Sequence, residues 1–394
     1  MELDQSYPAI SDLAARARRR VPRFVWDYLD SATGAEATKA RNRSALDAIR
    51  FRPAILSGEI DPDLSVTLMG RDYALPFGIA PVGMSGLVWA EAERTLARLA
   101  RTEAIPYTLS TVATRTPEHV GPHVGDQGWF QLYPPRDPEI RADMLRRVRA
   151  AGFHTLVLTA DVPVASRRER QRRGGVTHPP RLSPRILAQV ALRPAWALAT
   201  AQTGMPRLRF VESYTGKSGA LSSTAHVGYL IRTSPDWGYL RWLRDHWDGP
   251  LVVKGVLEPA DAVRLKAEGV DAVWVSNHAG RQFDAAPAPI EVLPAIRAAV
   301  GPGYPLIFDS GVAGGLDILR ALALGADFVM LGRAFHYGLA AFGARGAAHV
   351  VHILREDLKA NLGQLGLGSF DGLADRLVHR AHGCDDRPPE GRST

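Results

Sequence analysis

Residues 272–281 read Ala-Val-Trp-Val-Ser-Asn-His-Ala-Gly-Arg, an apolar and β-branched run that ends in a polar turn containing glycine. Such a run is typical of a buried strand. The turn brings His278 and Arg281 into one loop, so a proton acceptor and a fixed cation lie close in sequence. Arg can grip a carboxylate with two hydrogen bonds, and His can act as a base near neutral pH. The pair suits removal of a proton or hydride equivalent from a small anionic substrate; an ordinary solvated loop is the alternative.

Apolar runs of this kind alternate with helical patterns from about residue 75 onward. The runs cover residues 77–81, 107–110, 129–133, 155–159, 251–254, 272–276, 306–309 and 328–331. The helical patterns between them include residues 92–104, 139–151, 259–268 and 316–324. This alternation indicates parallel β-α units, and eight such units predict an α/β fold of the (β/α)8 TIM barrel type. A doubly wound open sheet is the competing architecture.

Polar residues stand at the carboxyl end of nearly every predicted strand. They are Ser110, Gln131, Tyr133, Thr159, Asp161, Lys254, Ser276, Asp309 and Arg333. A barrel builds its active site from the ends of many strands, whereas an open sheet gathers its ligand groups at one switch point. The distribution therefore favours the barrel.

Two segments do not fit the repeat. Residues 1–50 predict a helical N-terminal extension, which we expect to close the bottom of the barrel while bringing Tyr28 round to the site. Residues 174–232, between the fourth and fifth predicted strands, are too long for a simple crossover and predict an insertion. Residues 1–384 are expected to form one domain, and residues 385–394 a disordered tail.

The composition is that of a soluble globular protein, with 46% hydrophobic and 23% charged residues among 394. The formal net charge is +7, and much of the excess lies in the Arg-rich residues 167–173. No zinc-finger spacing or interleaved aromatics accompany these residues, so nucleic acid is not an expected partner. The single cysteine, Cys384, excludes an internal disulfide, a Cys-based zinc site and covalent haem attachment. No metal is expected.

The insertion holds two apolar patches, at residues 186–192 and 195–199. Arginines flank them at Arg181, Arg185, Arg193, Arg207 and Arg209. Neither patch can span a bilayer, but apolar residues beside arginines can lie on an anionic membrane surface. With no signal-peptide pattern, the protein is expected to be cytoplasmic, with peripheral attachment to the inner face of the cytoplasmic membrane as one function of the insertion. A soluble lid or an oligomer contact is the alternative.

From Trp26-Asp27-Tyr28 to about residue 366, these motifs, taken in order, resemble the FMN-dependent L-2-hydroxy acid oxidases and dehydrogenases, which include glycolate oxidase, L-lactate dehydrogenase and (S)-mandelate dehydrogenase. The resemblance implies a homotetramer that oxidises a 2-hydroxy acid to the 2-oxo acid. FMN would accept two electrons and pass them to a quinone, another carrier or oxygen. An oxygen-using oxidase and a non-catalytic FMN-binding barrel remain the alternatives.

The resemblance also implies roles for the polar residues at the strand ends. His278 would be the base, and Asp161, in Thr159-Ala-Asp-Val-Pro163, would stabilise its imidazolium. The substrate carboxylate would be bound by Arg281, Arg168 and Tyr28, and the substrate hydroxyl would contact Tyr133.

Two groups of residues resemble the family's FMN site. Contacts to the flavin ring would come from Pro81, Val82, Gly83, Ser110, Gln131, Thr159, Lys254 and Ser276, with Lys254 beside the N1/O2 edge. The phosphate would lie after the last two strands, at Asp309, Ser310, Gly311, Gly332 and Arg333.

The chain also departs from the family pattern. Ala313 stands where the family usually has an Arg that touches the FMN phosphate, which puts phosphate affinity in doubt. Ser310 replaces a frequent Gly. Val112 and Ala165 predict room for a substrate side chain larger than that of glycolate, and Gly83 favours a dehydrogenase over an oxidase.

Overall fold

The structure is a computed structural model and describes residues 2–175, 183–215 and 233–378. Eight parallel strands close into a barrel in the order β10-β3-β4-β5-β6-β7-β8-β9, which confirms the predicted architecture over the open sheet. The barrel strands are β3 (Phe77–Ile79), β4 (Tyr107–Ser110), β5 (Gly128–Leu132), β6 (Thr155–Thr159), β7 (Leu251–Val256), β8 (Ala272–Val275), β9 (Leu306–Phe308) and β10 (Phe328–Leu331). Strands β1 (Val66–Leu68) and β2 (Arg71–Tyr73) pair antiparallel outside the barrel.

Helices surround the barrel and precede it. Those before it are α1 (Glu2–Ser6), α2 (Ile10–Arg20), α3 (Arg23–Asp30) and α4 (Ala37–Asp47). Within and after the repeat lie α5 (Ser85–Val88), α6 (Ala92–Glu103), α7 (Pro117–Val124), α8 (Pro138–Ala150), α9 (Glu169–Gly174), α10 (Pro184–Ala191), α11 (Pro194–Thr203), α12 (Arg209–Thr215), α13 (Trp237–His246), α14 (Pro259–Ala267), α15 (Pro289–Val300), α16 (Gly315–Ala323), α17 (Arg333–Phe342) and α18 (Ala344–Leu365). Short 3₁₀ turns occupy Gly125–Gln127, His278–Gly280 and Ala374–Arg376.

The side chains of each strand alternate between the barrel interior and the ring of helices. In β10, Phe328 and Met330 belong to the inner apolar cluster, whereas Val329 and Leu331 pack in the cluster shared with the helices. This period of two follows from the pleat of the strand. Trp129 and Trp274 fill the interior alongside them and are fully buried. Burial of each large apolar side chain contributes about 1.5–3 kcal/mol, so the barrel is a packed core with its open surface at the strand ends.

The β1–β2 hairpin, not the N-terminal extension, closes the bottom of the barrel. Tyr73 packs against Phe328, the first residue of β10, with ring centroids 5.4 Å apart. Its hydroxyl accepts a hydrogen bond of 3.3 Å from the indole N–H of Trp129, near the start of β5. The predicted position of the extension was therefore wrong, because the aromatic hairpin fills the space at the amino ends of the strands.

The second half of the N-terminal extension, α3 and α4, lies at the opposite end, beside the carboxyl ends of the strands. Asn42 of α4 exchanges two side-chain hydrogen bonds with Asn277, just after β8, at 2.9 and 2.6 Å. Arg43 donates to the carbonyl of Gly311, after β9, at 3.0 Å. These contacts fix α3 and α4 beside the mouth of the barrel. Tyr28 consequently reaches the site, as predicted.

The insertion after β6 contains three described helices, α10 to α12, and α9 leads into it. The indole of Trp196 is buried and donates to the carbonyl of Leu87 at 3.0 Å, and Phe210 is buried against Phe130. These anchors hold the insertion against the barrel mouth. Within residues 2–175, 183–215 and 233–378, no helix is long and apolar enough to cross a bilayer. The predicted tail at residues 385–394 lies outside the described residues.

Candidate active site

A cavity of about 570 Å³ opens at the carboxyl ends of the barrel strands. This volume is within the usual range for small-molecule and cofactor sites, and the position is the one that barrels use for chemistry. Its walls include all but two of the residues that the sequence predicts for the site. These are Tyr28, Pro81, Val82, Gly83, Ser110, Gln131, Tyr133, Thr159, Arg168, Lys254, His278, Arg281, Asp309, Ser310, Gly311, Gly332 and Arg333. The other two, Asp161 and Ser276, lie directly behind the wall and bond to His278 and Lys254.

The His278 imidazole, after β8, is held by the Asp161 carboxylate, which follows β6 two strands away in the barrel. Its Nδ1 lies 3.0 Å from Asp161 Oδ1 and 3.3 Å from Oδ2. The His278 backbone has φ of 56°, a left-handed conformation that costs energy in a side-chain-bearing residue and is typical of functional loops. The Asn277 side chain accepts from the N–H of Gly280 and stabilises this turn. With Nδ1 facing the carboxylate, Nε2 has no partner among the described residues and is available to the cavity.

Asp161 requires a glycine opposite it. Gly255 has φ of 103°, and a Cβ at this position would lie 2.4 Å from Cβ of Asp161. The ladder between β7 and β8 shifts its register between Lys254 and Val256, around this residue. The irregularity therefore makes room for the Asp161 carboxylate beside β7.

The charges around the pair favour an ionised Asp161 and a neutral His278. Burial raises the pKa of Asp161, but the nearby His278 and Lys254 outweigh burial and leave the pKa below its ordinary value. Burial lowers the pKa of His278, and the attraction of Asp161 only partly opposes that shift. A neutral imidazole with an accessible Nε2 is a proton acceptor at neutral pH.

One end of the Arg281 guanidinium is anchored by hydrogen bonds to the backbone, and the residue also lines the cavity. Its Nη1 donates to the carbonyls of Tyr28, Leu29 and Ser31, at the end of α3. Burial and the charges of Arg168 and Arg333 lower its pKa to about 9, so the guanidinium stays charged at neutral pH. Cations crowded in this way favour an anion in the cavity, because its charge would relieve their repulsion.

The opposite wall carries a buried amide with an unused donor. The Oε1 atom of Gln131 accepts from the Ser110 hydroxyl at 2.7 Å, but its buried Nε2 has no hydrogen-bond partner among the described residues. Lys254, nearly fully buried, donates to Ser276 Oγ at 2.5 Å and lies 3.1 Å from Asp309. A buried unsatisfied N–H is costly, so this wall is suited to a ligand that brings an acceptor.

Gly83 packs closely against its neighbours in the cavity wall. Its carbonyl accepts from the Tyr28 hydroxyl at 2.8 Å. A Cβ at this position would lie 2.7 Å from Cγ2 of Val112, so alanine here would displace its neighbour. The glycine thus brings backbone, rather than a side chain, to the cavity surface.

The loops after β9 and β10 line the far end of the cavity and lead into α16 and α17. Ser310 has φ of 85°, which explains why glycine is frequent there. Its hydroxyl compensates by donating to Asp309 Oδ1 at 2.7 Å and accepting from the Ala279 N–H at 3.0 Å. The serine is therefore accommodated, and it joins this loop to the His278 turn.

Several residues that line the cavity were not predicted from the sequence. They are Lys39, Arg43, Leu208 and Tyr337, all of which line the cavity. The only local signal was the spacing of Lys39 and Arg43, which places both on one face of a helix. Which face meets the cavity depends on long-range packing of α4, which the sequence alone does not reveal.

Comparisons with known proteins agree with this geometry. Residues 17–380 match the sequence model of the family described as FMN-dependent dehydrogenase. An L-lactate dehydrogenase of Caulobacter vibrioides (strain NA1000 / CB15N) is 40% identical over 372 residues, which cover 93% of this chain and 96% of that protein. An L-lactate dehydrogenase of Pseudomonas aeruginosa (strain LESB58) is 37% identical over 375 residues, with coverage of 94% and 98%. The crystal structure of the monotopic membrane protein (S)-mandelate dehydrogenase superposes with a TM-score of 0.88 at 36% identity, covering 94% of this chain and 99% of that one.

Proposed function

The chain belongs to the FMN-dependent dehydrogenase family, and we propose that it oxidises an L-2-hydroxy acid of the lactate or mandelate type to the 2-oxo acid. The observation that carries the proposal is the His278–Asp161 pair, which lies in one cavity with Arg281. A base beside a carboxylate-binding cation is the arrangement that oxidation of a 2-hydroxy acid requires, because the substrate offers both a removable proton and a carboxylate.

The residues present fit FMN. The unpaired Nε2 of Gln131 suits a ring that carries an acceptor, the absence of a side chain at Gly83 leaves backbone against which a flat ring can lie, and Lys254 supplies a buried cation. Gly311, Gly332 and Arg333 would hold the phosphate near the helix N-termini. When bound, FMN supplies a two-electron acceptor for the substrate.

His278 would accept a proton of the substrate at Nε2. Because Nδ1 faces Asp161, the proton on the neutral ring belongs on Nδ1, and the lone pair of Nε2 points to the cavity. Asp161 would then stabilise the imidazolium by its negative charge and fix the tautomer. Arg281, Arg168 and Tyr28 would orient the substrate through its carboxylate.

The first expected result is that bound FMN is bleached by an L-2-hydroxy acid and not by its D-enantiomer. The base and the carboxylate-binding arginine are fixed on the cavity wall, so only one enantiomer presents its hydrogen to both the base and the cofactor. Anaerobic titration of the yellow protein with L- and D-lactate and L- and D-mandelate measures this. Equal bleaching by both enantiomers, or bleaching by none of the four acids, would contradict the proposal.

Readmission of air or a quinone to the bleached sample identifies the acceptor. We propose a quinone or another carrier, on the basis of the resemblance at Gly83 and the apolar surface described next. Reoxidation by a soluble quinone should then be faster than reoxidation by oxygen. Rapid formation of peroxide in step with substrate consumption would instead identify the oxygen-using oxidase.

We also propose that the insertion attaches the protein to an anionic membrane surface. Leu187, Leu192, Leu198 and Met205 are each more than half exposed on α10, α11 and the residues that follow them. Exposed arginines, including Arg185, lie among them. Exposed apolar side chains beside cations are the features that hold a protein at a lipid interface. Arg181, part of the predicted basic flank, lies outside the described residues.

Vesicle binding tests the attachment. Leu187→Ser/Leu192→Ser/Leu198→Ser is expected to abolish cosedimentation with phosphatidylglycerol vesicles, and Arg185→Gln to weaken it about fivefold, the equivalent of about 1 kcal/mol for one basic residue. Ile55→Ser/Leu56→Ser is the matched control, because these residues are 84% and 98% exposed outside the insertion. The wild-type chain should leave the vesicles at high salt. The proposal would be contradicted if the wild-type protein did not bind anionic vesicles at low salt. It would also be contradicted if the control variant lost as much binding as the triple leucine variant.

A further inference from the structure

The part of the cavity that suits a phosphate has no cationic side chain at position 313, where the family usually has an arginine. Residues 311–313 and 332–333 line it, and α16 and α17 begin beside them. Helix N-termini attract anions, but a phosphate dianion in a partly buried site also needs cationic partners. Ala313 offers only a methyl group. Lys39, from α4, also lines the cavity, close enough for its charge to interact with that of Arg333.

The Lys39 ammonium has one N–H donor that forms no hydrogen bond within the described residues. Its Nζ donates to the carbonyl of Asp30 at 2.8 Å and to Asp30 Oδ1 at 2.9 Å. An ammonium has three donors, and these are the only hydrogen bonds of Nζ within the described residues. The Asp30 carboxylate also accepts from Arg170 and Tyr337, each at 2.8 Å, so its charge is shared among several donors. Lys39 is therefore only partly neutralised.

Lys39 and Arg333 form a pair of like charges at the cavity. Burial and the charge of Arg333 both lower the pKa of Lys39. Arg333 is fixed by hydrogen bonds from Nε to the carbonyl of Leu29 and from Nη2 to the carbonyl of Ser31, while its Nη1 makes none within the described part of the chain. Two anchored cations with unused donors in one cavity are favourable when an anion lies between them.

Arg43, the other basic residue of α4 in the cavity wall, has no unused N–H donor for an anion. Its guanidinium bonds to the carboxylates of Asp47 and Asp317 and to the carbonyl of Gly311. Those five bonds use all five of its donors. Arg43 thus holds the loop after β9 in place, and Lys39 is the cation left for a ligand.

We propose that Lys39, together with Arg333, binds the phosphate of FMN and takes the place of the side-chain cation absent at Ala313. This inference rests on the proposed FMN site but not on the identity of the substrate. It implies that affinity for FMN over riboflavin, which lacks the phosphate, depends on Lys39. It also implies that an arginine at position 313 can substitute for Lys39.

Flavin titrations of the full-length apoprotein test the inference through dissociation constants alone. Lys39→Met is expected to raise the Kd for FMN by about 10- to 100-fold, as expected for loss of a charge-assisted hydrogen bond, and to change the Kd for riboflavin less than about twofold. Lys39→Met/Ala313→Arg should recover most of the affinity for FMN, and Lys39→Arg should retain it. Lys359→Met is the matched control, because Lys359 forms a comparable surface ion pair with Asp61 at 2.9 Å.

An unchanged Kd for FMN in Lys39→Met would overturn the inference, and so would an equal loss of FMN and riboflavin, which indicates a structural role. If Lys39→Met fails to fold, Lys39→Gln provides the same comparison of the two flavins. A protein that shows the expected FMN preference but is not bleached by 2-hydroxy acids would sustain this inference while contradicting the proposed function.

Discussion

Replacement of His278 with glutamine is expected to slow reduction of the bound flavin by an L-2-hydroxy acid by about 10²- to 10⁴-fold, the usual contribution of a positioned base. Glutamine can still donate to Asp161 but cannot accept a proton, so the cavity keeps its shape while the base is lost. Anaerobic stopped-flow measurement of flavin absorbance gives the rate. FMN should remain bound, since the predicted cofactor contacts lie on other residues.

His352→Gln is the control, because His352 is 44% exposed on α18 and pairs with Asp4 away from the cavity. It should reduce flavin at the wild-type rate. A His278→Gln protein that reduces flavin nearly as fast as the wild type would remove His278 from the role of base. Loss of FMN from that variant would instead indicate a structural function for the turn.

The pH dependence of flavin reduction tests the assignment of His278 as the base. Because burial holds the pKa of His278 below 6.5, the imidazole is neutral at pH 7, and flavin reduction should fall only as the pH drops through that lowered pKa. Asp161 raises the pKa of His278, so Asp161→Asn should move this acidic limb to still lower pH while lowering the plateau rate. A limb that moves to higher pH in Asp161→Asn would contradict the proposed pairing.

Sequence reasoning located the site because a parallel barrel brings all carboxyl strand ends to one face. Residues as distant as Ser110 and Asp309 could be placed in one cavity without knowing any contact between them. The predicted strands were also close to the observed ones. Where they differ, the reason is local: the run predicted to reach Pro81 ends at Ile79, because proline has no N–H for a ladder.

The features that could not be predicted from the sequence depend on packing between distant segments. The location of the N-terminal extension is set by contacts such as Asn42 with Asn277, and neither residue has a local pattern that reveals its partner. The same holds for Tyr73, whose position under the barrel depends on Trp129 and Phe328. The domain limit at residue 384 stays a prediction, since residues 379–394 lie outside the described part of the chain. The homotetramer also stays a prediction.

Position 313 shows how a local departure can be balanced elsewhere. The sequence indicates a lost cation, which alone would weaken phosphate binding. The fold, however, brings Lys39 to the same cavity through α4, more than 250 residues earlier in the chain. Comparison of the loop around position 313 with the family pattern shows only the missing arginine. The cation that a phosphate requires can come from any element that reaches the cavity.

Replacement of Arg281 with lysine is expected to lower kcat/KM for an L-2-hydroxy acid by about 10- to 100-fold, because a charge-assisted hydrogen bond contributes about 1.5–3 kcal/mol and lysine loses the forked pair. Lysine also cannot bond to the carbonyls of Tyr28, Leu29 and Ser31 while presenting a second face to the substrate. Both kcat and KM should change, since a substrate held at one point is also misaligned with the base.

Steady-state kinetics with L-lactate and L-mandelate, using a dye acceptor, separate these effects. Arg264→Lys is the matched control, because Arg264 is 52% exposed on α14 and lies outside the cavity wall. The Kd for FMN should stay within about threefold of the wild type in both variants, since the positive charge is conserved and the expected loss of about 10- to 100-fold concerns the substrate. A wild-type kcat/KM in Arg281→Lys would mean that the substrate carboxylate is bound by Arg168 and Tyr28 without Arg281. An equal loss of FMN affinity would mean that Arg281 acts on the cofactor, and either outcome would require a different orientation of the substrate in the cavity.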